Sequence, residues 1–237
     1  MRNERHRRIA AAEGGSTLIE VMIVVAIFGL IVAGVMSVLK TANDNMAVDI
    51  PQGDMENIGH RLVEQIERMV RPSAATQITL PGGDGHAIQY MVPVDHDGDG
   101  DVLDDTFTIE WGAFEQGVPT LGNFMIYQFV PAAGANGTFT ESANGIDANR
   151  DGDLGDVFRR GYIEFETEDG WSRLFGEPNL VCVNNAGWGG DVNGDGTADP
   201  IFDLQGNRLT ISIWLMRIVG DGEPVLVNVR STVFLRN

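Results

Sequence analysis

Apolar and polar positions divide this chain into stretches of different period. From 21 to 39 no residue is charged, and counting back to 16 adds a single charge, Glu20. A run of that length predicts a helix able to cross a hydrocarbon core of about 30 Å, which takes about 20 residues. Beyond Lys40 the chain turns polar, and Pro51 predicts a break or kink in any helix that reaches it. A second helical pattern covers 54–71, "DMENIGHRLVEQIERMVR". There Met55, Ile58, Leu62, Ile66 and Met69 recur at helical steps and make one apolar face. Asp54 suits its N-cap, Arg68 and Arg71 suit the negative end of its dipole, and Pro72 ends it.

Past Pro72 the period becomes two. Strands are predicted at 77–80, 87–92, 107–111, 124–130, 162–167, 209–218 and 225–235. Alternation is plain in "YIEFETE" and "RLTISIWLMRI", as half-buried antiparallel strands require. The last two flank "VGDGEP" and read as a hairpin. Helix first and antiparallel sheet after is an α+β arrangement.

Composition narrows the function classes. Hydrophobic residues make up 43% of the chain, enough for a core, and the formal net charge is −18. Because residues 1–15 are basic, the acidity lies in the body, which repels phosphate backbones and argues against a nucleic-acid partner. The single cysteine, Cys182, excludes an intrachain disulfide and a cysteine-cluster metal site, and in "LVCV" it reads as a small buried hydrophobe. His60 reads as a surface or boundary histidine of the second helix.

The opening "MRNERHRRIAAAEGG" carries Arg2, Arg5, Arg7 and Arg8. By the positive-inside rule these hold the N-terminus in the cytoplasm and place everything beyond Lys40 outside. Two cuts are then open. One after the apolar run, near Ala33 and Gly34, releases a soluble protein. One before it, between Gly15 and Ser16, leaves the helix on the mature chain; glycine there lets a protease approach the backbone closely. A carboxylate in a membrane helix costs about 2.5–3.5 kcal/mol on insertion scales, so Glu20 calls for a partner or a function. Gly29, Ala33 and Ser37, four residues apart, form a stripe that allows close helix packing.

"GGSTLIEVMIVVAI" resembles the class III leader junction of type IV pilins and type II secretion pseudopilins. The resemblance implies a leader over 1–15 ending at Gly15, with cleavage and N-methylation at Ser16 by a prepilin peptidase. It implies a transmembrane and assembly helix over 16–50. It further implies an exported pilin-like head over 51–237, with the amphipathic helix 54–71 laid on a β-rich region 77–237. Ser16 departs from the phenylalanine or methionine most often found at that position. Glu20, fifth in the mature chain, matches the family glutamate thought to attract the N-terminal amine of a neighbouring subunit and so set axial register; such a pair is strong at low dielectric. The ending "VRSTVFLRN" resembles the last strand of PilW-type minor pilins and J-type minor pseudopilins. Implied partners are sister pilins or pseudopilins, the prepilin peptidase and inner-membrane assembly machinery. The implied location is the bacterial inner membrane, single-pass with the head in the periplasm, and then the pilus or pseudopilus.

Three aspartate-rich stretches share a spacing. The first offers Asp95, Asp97, Asp99 and Asp101, then Asp104 or Asp105. The second offers Asp147, Asn149, Asp151, Asp153 and Asp156. The third offers Asp191, Asn193, Asp195 and Asp199, with the Thr197 carbonyl. Alternate oxygens followed by a glycine suit calcium, which takes six to eight oxygens at about 2.3–2.6 Å. The pattern matches the first half of an EF-hand loop. The second half departs, because the twelfth residues are Thr106, Phe158 and Phe202 and no flanking helices are evident. Calcium loops of the extracellular kind are therefore expected, with affinity of about 10⁻⁴–10⁻³ M and a structural role. His96, inside the first loop, is expected to point outward.

No nucleophile–base set, Walker loop, dinucleotide fingerprint or zinc motif is present. The carboxylate pairs lie in glycine-rich loops that suit cation ligation better than acid–base chemistry. The reading is a non-enzymatic minor pilin or pseudopilin. The alternative is a membrane-anchored or secreted calcium-dependent hydrolase or binding protein.

Overall fold

The computed structural model describes residues 17–115, 117–167, 170–174, 180–184, 190–219 and 222–236. The chain divides into two compact units, Met1–Met46 and Ala47–Asn237. The first long helix, α1 (Leu18–Val70), begins in one and ends in the other. The break expected at Pro51 is not there: the helix runs through it. Proline removes one backbone hydrogen bond, and the helical turns on either side of it continue without interruption. Asp54 consequently sits inside the helix and caps nothing; its carboxylate lies 3.9 Å from Arg217.

In the first unit, the 26 residues Leu18–Asn43 are long and apolar enough to cross a membrane by length and composition, and none is buried. Leu18, Phe28, Leu30 and Val38 are each at least 66% exposed, a surface a soluble helix would hide.

The second unit is built from short and long strands. They are β1 (Ile78–Thr79), β2 (Ala87–Tyr90), β3 (Val92–Pro93), β4 (Trp111–Glu115), β5 (Val118–Leu121), β6 (Met125–Pro131) and β7 (Thr138–Thr140). After a single helical turn, α2 (Glu141–Asn144), come β8 (Val157–Thr167), β9 (Gly170–Arg173), β10 (Leu180–Asn184), β11 (Phe202–Gln205), β12 (Arg208–Val219) and β13 (Glu223–Phe234). All ladders between these strands are antiparallel. The main sheet runs β1-β2-β6-β8-β10-β12-β11, with β13 on β12 and β7 and β9 on β8; β3-β4-β5 form a smaller sheet. The fold is α+β and pilin-like: an N-terminal apolar helix, then an antiparallel sheet.

Alternation along β12 explains the layering. Leu209, Ile211, Ile213 and Leu215 face one way, where Met55, Leu62, Val63, Ile66 and Val70 of α1 complete the larger core. Gly59 lets the helix approach closely: a Cβ there would stand 2.5 Å from Val229 Cγ2 and 3.1 Å from Leu215 Cδ1. Met216 and Trp214 point to the opposite face and form a second cluster with Phe139, Phe158, Cys182 and Val192. Ala148 also packs into that cluster. Two of the aspartate loops are thus rooted in the sheet face away from the helix.

The predicted strands at 87–92, 124–130, 209–218 and 225–235 are present with shifted ends, and the hairpin pairs in register from Arg208↔Phe234 to Val219↔Glu223. Of the strand predicted over 107–111, Trp111 opens β4 and Ile109 makes an isolated antiparallel bridge to Leu103, and the rest is not extended in a strand. Phe107 has φ of 62°, and local side-chain bonds described below hold this segment in a turn.

Candidate functional site

Gly15 and Ser16 lie outside the described residues. Glu20 is the third residue of α1, and its carboxylate turns back on the helix start. Thr17 N–H donates to Glu20 Oε2 at 3.0 Å, and Glu20 N–H donates to Thr17 Oγ1 at 3.3 Å. That is a reciprocal capping box, which satisfies two backbone donors that a helix start leaves unpaired. The signature was readable as Thr-x-x-Glu in "TLIE", and it gives Glu20 a local structural role at the helix start. Gly29 of the small-residue stripe has open space where a Cβ would stand.

The three aspartate loops share one backbone geometry. In each, the first aspartate accepts from the N–H five residues on: Gly100 to Asp95 at 2.9 Å, Gly152 to Asp147 at 2.9 Å, and Gly196 to Asp191. Those glycines have φ of 91°, 91° and 86°. The fourth position of each loop is left-handed as well, at Gly98 (78°), Arg150 (63°) and Gly194 (75°). Two left-handed residues curl each loop around its first carboxylate, and glycine adopts that conformation without steric cost. Arg150 is the exception and carries the strain of an L-residue there.

Within this shared frame the loops differ. In the first, Asp95, Asp97 and Asp99 have ligand oxygens within 4.8 Å of one another. Asp101 accepts from its neighbour Val102 N–H at 2.6 Å. Asp104 turns away into its own turn, where Oδ1 accepts from Thr106 N–H, Thr106 Oγ1 and Thr108 N–H. These bonds, the Thr106 hydroxyl first, hold its carboxyl below the usual range. His96 is exposed, as expected, with Nδ1 3.2 Å from the Pro119 carbonyl. Its N–H donates to Oε2 of the buried Glu110 at 2.7 Å, which ties the loop to the segment before β4.

In the second loop, Asn149 Nδ2 donates to Asp156 Oδ2 at 2.9 Å and to Asp151 Oδ2 at 3.2 Å. Asp153 Oδ1 accepts from Gly155 N–H at 2.8 Å. In the third, Asp199 Oδ2 accepts from Val192 and Asn193 N–H, and Asn193 Oδ1 from Asp195 N–H at 2.8 Å. Burial pushes the Asp199 carboxyl up; the Asp195 carboxyl is held down, chiefly by the Thr197 hydroxyl. The second and third loops touch: a Cβ on Gly194 would stand 2.5 Å from Asp151 Cβ. Among the described residues, two buried carboxylates beside these loops escaped the sequence reading: Glu110 behind the first loop and Glu141 beside the second. Glu141, on α2, is fully buried against the second loop.

Residues 11–36 match the prokaryotic N-terminal methylation motif. No curated protein and no solved structure matches the chain. The methylation motif spans Gly15, Ser16, Glu20 and the apolar helix as far as Met36, and the arginines at 2, 5, 7 and 8 lie ahead of it. It supports a type IV pilin-like precursor of the kind processed by a prepilin peptidase and anchored by its N-terminal helix. It covers a small part of the chain, and the head stands on its fold alone.

Proposed function

We propose that the chain is a minor pilin or pseudopilin subunit, cut after Gly15 and N-methylated on Ser16 by a prepilin peptidase. The methylation motif at 11–36, set at the start of an exposed apolar helix, carries this reading. The helix holds the subunit in the bacterial inner membrane with its head in the periplasm. Assembly machinery then lifts it into a type IV pilus or type II secretion pseudopilus, where the Glu20 charge pairs with the new amine of a neighbour. The long loops of the head suit a position that primes or caps the filament, where dense stacking does not crowd them. Calcium braces the three aspartate loops; their common geometry, with a glycine at the sixth position as in known calcium loops, supports this.

The test is a host lacking the prepilin peptidase. There the chain should remain an uncut membrane precursor, absent from sheared filaments. Normal amounts in filaments sheared from that host would overturn the reading.

A further inference from the structure

We infer that Glu141 is a cation ligand supplied from outside the second aspartate loop, completing an oxygen site with Asp147, Asn149, Asp151 and Asp156. The inference rests on the calcium reading above and names the site at which it acts.

Glu141 is fully buried, which is rare for a carboxylate without a cationic partner. Its backbone N–H donates to the Asp156 carbonyl at 3.1 Å, tying it to the far end of the loop. Its Oε1 accepts from Ala148 N–H at 2.7 Å, which aims the carboxylate at the loop's start. The other oxygen, Oε2, is buried with no hydrogen-bond partner, and so is Asp147 Oδ1. Asp147 has its second oxygen engaged by Gly152 N–H, so each carboxylate is oriented through one oxygen and leaves the other empty-handed. Buried oxygens left this way are costly unless something fills the gap.

The surroundings name the filler. Asp156, Asp147 and Asp151 set like charges against the buried Glu141 carboxylate. The charged side chains acting on Glu141 are therefore acidic, and no cation among them balances it. A hard divalent ion answers both stranded oxygens, Glu141 Oε2 and Asp147 Oδ1. Among the described residues only Asp95, Asp97 and Asp99 already bring three carboxylates within 4.8 Å, so Asp151 and Asp156 close in around the ion as it binds. Such a flexible, many-carboxylate set favours calcium over magnesium. The twelfth position of this loop is Phe158, which the second core claims; Glu141 supplies from upstream the carboxylate that an EF-hand places there.

The test is calorimetric titration of calcium chloride into the full mature chain in detergent micelles, at neutral pH after chelation. Glu141→Gln should weaken one calcium site at least tenfold and leave the others intact. Asp151→Asn should weaken the same site, and the double variant should lose no more ions than either single one. Far-UV circular dichroism checks that each variant is folded. If Glu141→Gln is not, Glu141→Asp keeps the charge, withdraws the carboxylate by one methylene, and should weaken the same site. Wild-type stoichiometry and affinity in a folded Glu141 variant would overturn the inference while leaving the calcium reading in place. A wild-type chain that binds no calcium would overturn both.

Discussion

Two glycines on one helix should respond in opposite directions to the same substitution. Gly53 and Gly59 both lie inside α1, where alanine in place of glycine is worth about 0.5–1 kcal/mol from backbone entropy. At Gly53 a Cβ would meet nothing within 4 Å, so Gly53→Ala should realise that gain. At Gly59 the new methyl would stand 2.5 Å from Val229 Cγ2 and 3.2 Å from its Cβ. Val229 is β-branched, stiff at χ1, and held in the β12–β13 ladder opposite Ile213, so it cannot swing aside. Overpacking of this kind costs about 1–3 kcal/mol, which cancels or exceeds the helical gain. The two variants should therefore differ by about 1–3 kcal/mol. At roughly 2–4 °C per kcal/mol for a chain of this size, Gly59→Ala should melt at least about 2 °C below Gly53→Ala. The assay is thermal unfolding of the full mature chain in detergent, followed by near-UV circular dichroism with chelator throughout. Equal melting, or a more stable Gly59→Ala, would refute the seating of α1 on the hairpin at this point.

Three further outcomes are expected. Glu20→Gln can still close the capping box but lacks the charge, whereas Thr17→Ala loses about 1 kcal/mol of cap and keeps the charge. If the charge sets register, Glu20→Gln and Glu20→Ala should both be depleted from sheared filaments and Thr17→Ala should not; normal recovery of Glu20→Ala would sink the register argument. Burial lowers the pKa of His86 from 6.5, against the opposing pull of Asp84. The folded chain then binds fewer protons here than the unfolded one, so stability should fall as pH drops below about 6.5. His86→Gln should flatten that part of the stability curve, and an unchanged slope would remove His86 as its source. Finally, the mature chain should melt higher in millimolar calcium than in chelator; superimposable curves would reduce the aspartate loops to plain turns.

What the sequence disclosed depended on whether the signal was local. The α1 apolar face and the β12–β13 hairpin were legible because periods of 3.6 and 2 persist over many residues. Strand β10 was not, because it lies between β8 and β12 with Val181 and Val183 in one core and Cys182 in the other, leaving no polar side to alternate. The segment 107–111 looked like a strand by composition. In the structure Asp104 captures the Thr106 and Thr108 amides, and these local side-chain bonds cut the pairing back to the isolated Leu103↔Ile109 bridge. At the loops, the spacing of aspartates and glycines was enough to anticipate a shared curl. Glu141 was invisible because its burial is decided by where β7 and β8 bring α2, and nothing in the loop's own pattern points to it. The capping box of Thr17 and Glu20 was in plain view, but the family resemblance drew the reading toward a partner on another chain.

The central claim is that this chain is a processed, helix-anchored filament subunit. The intact mass and N-terminal sequence of the protein recovered from cell envelopes test it most directly. The account predicts a chain that begins at Ser16 and is heavier by one methyl group. A chain that begins near Gly34 or Val35 would contradict it, since the apolar helix would then have been removed and Glu20 with it.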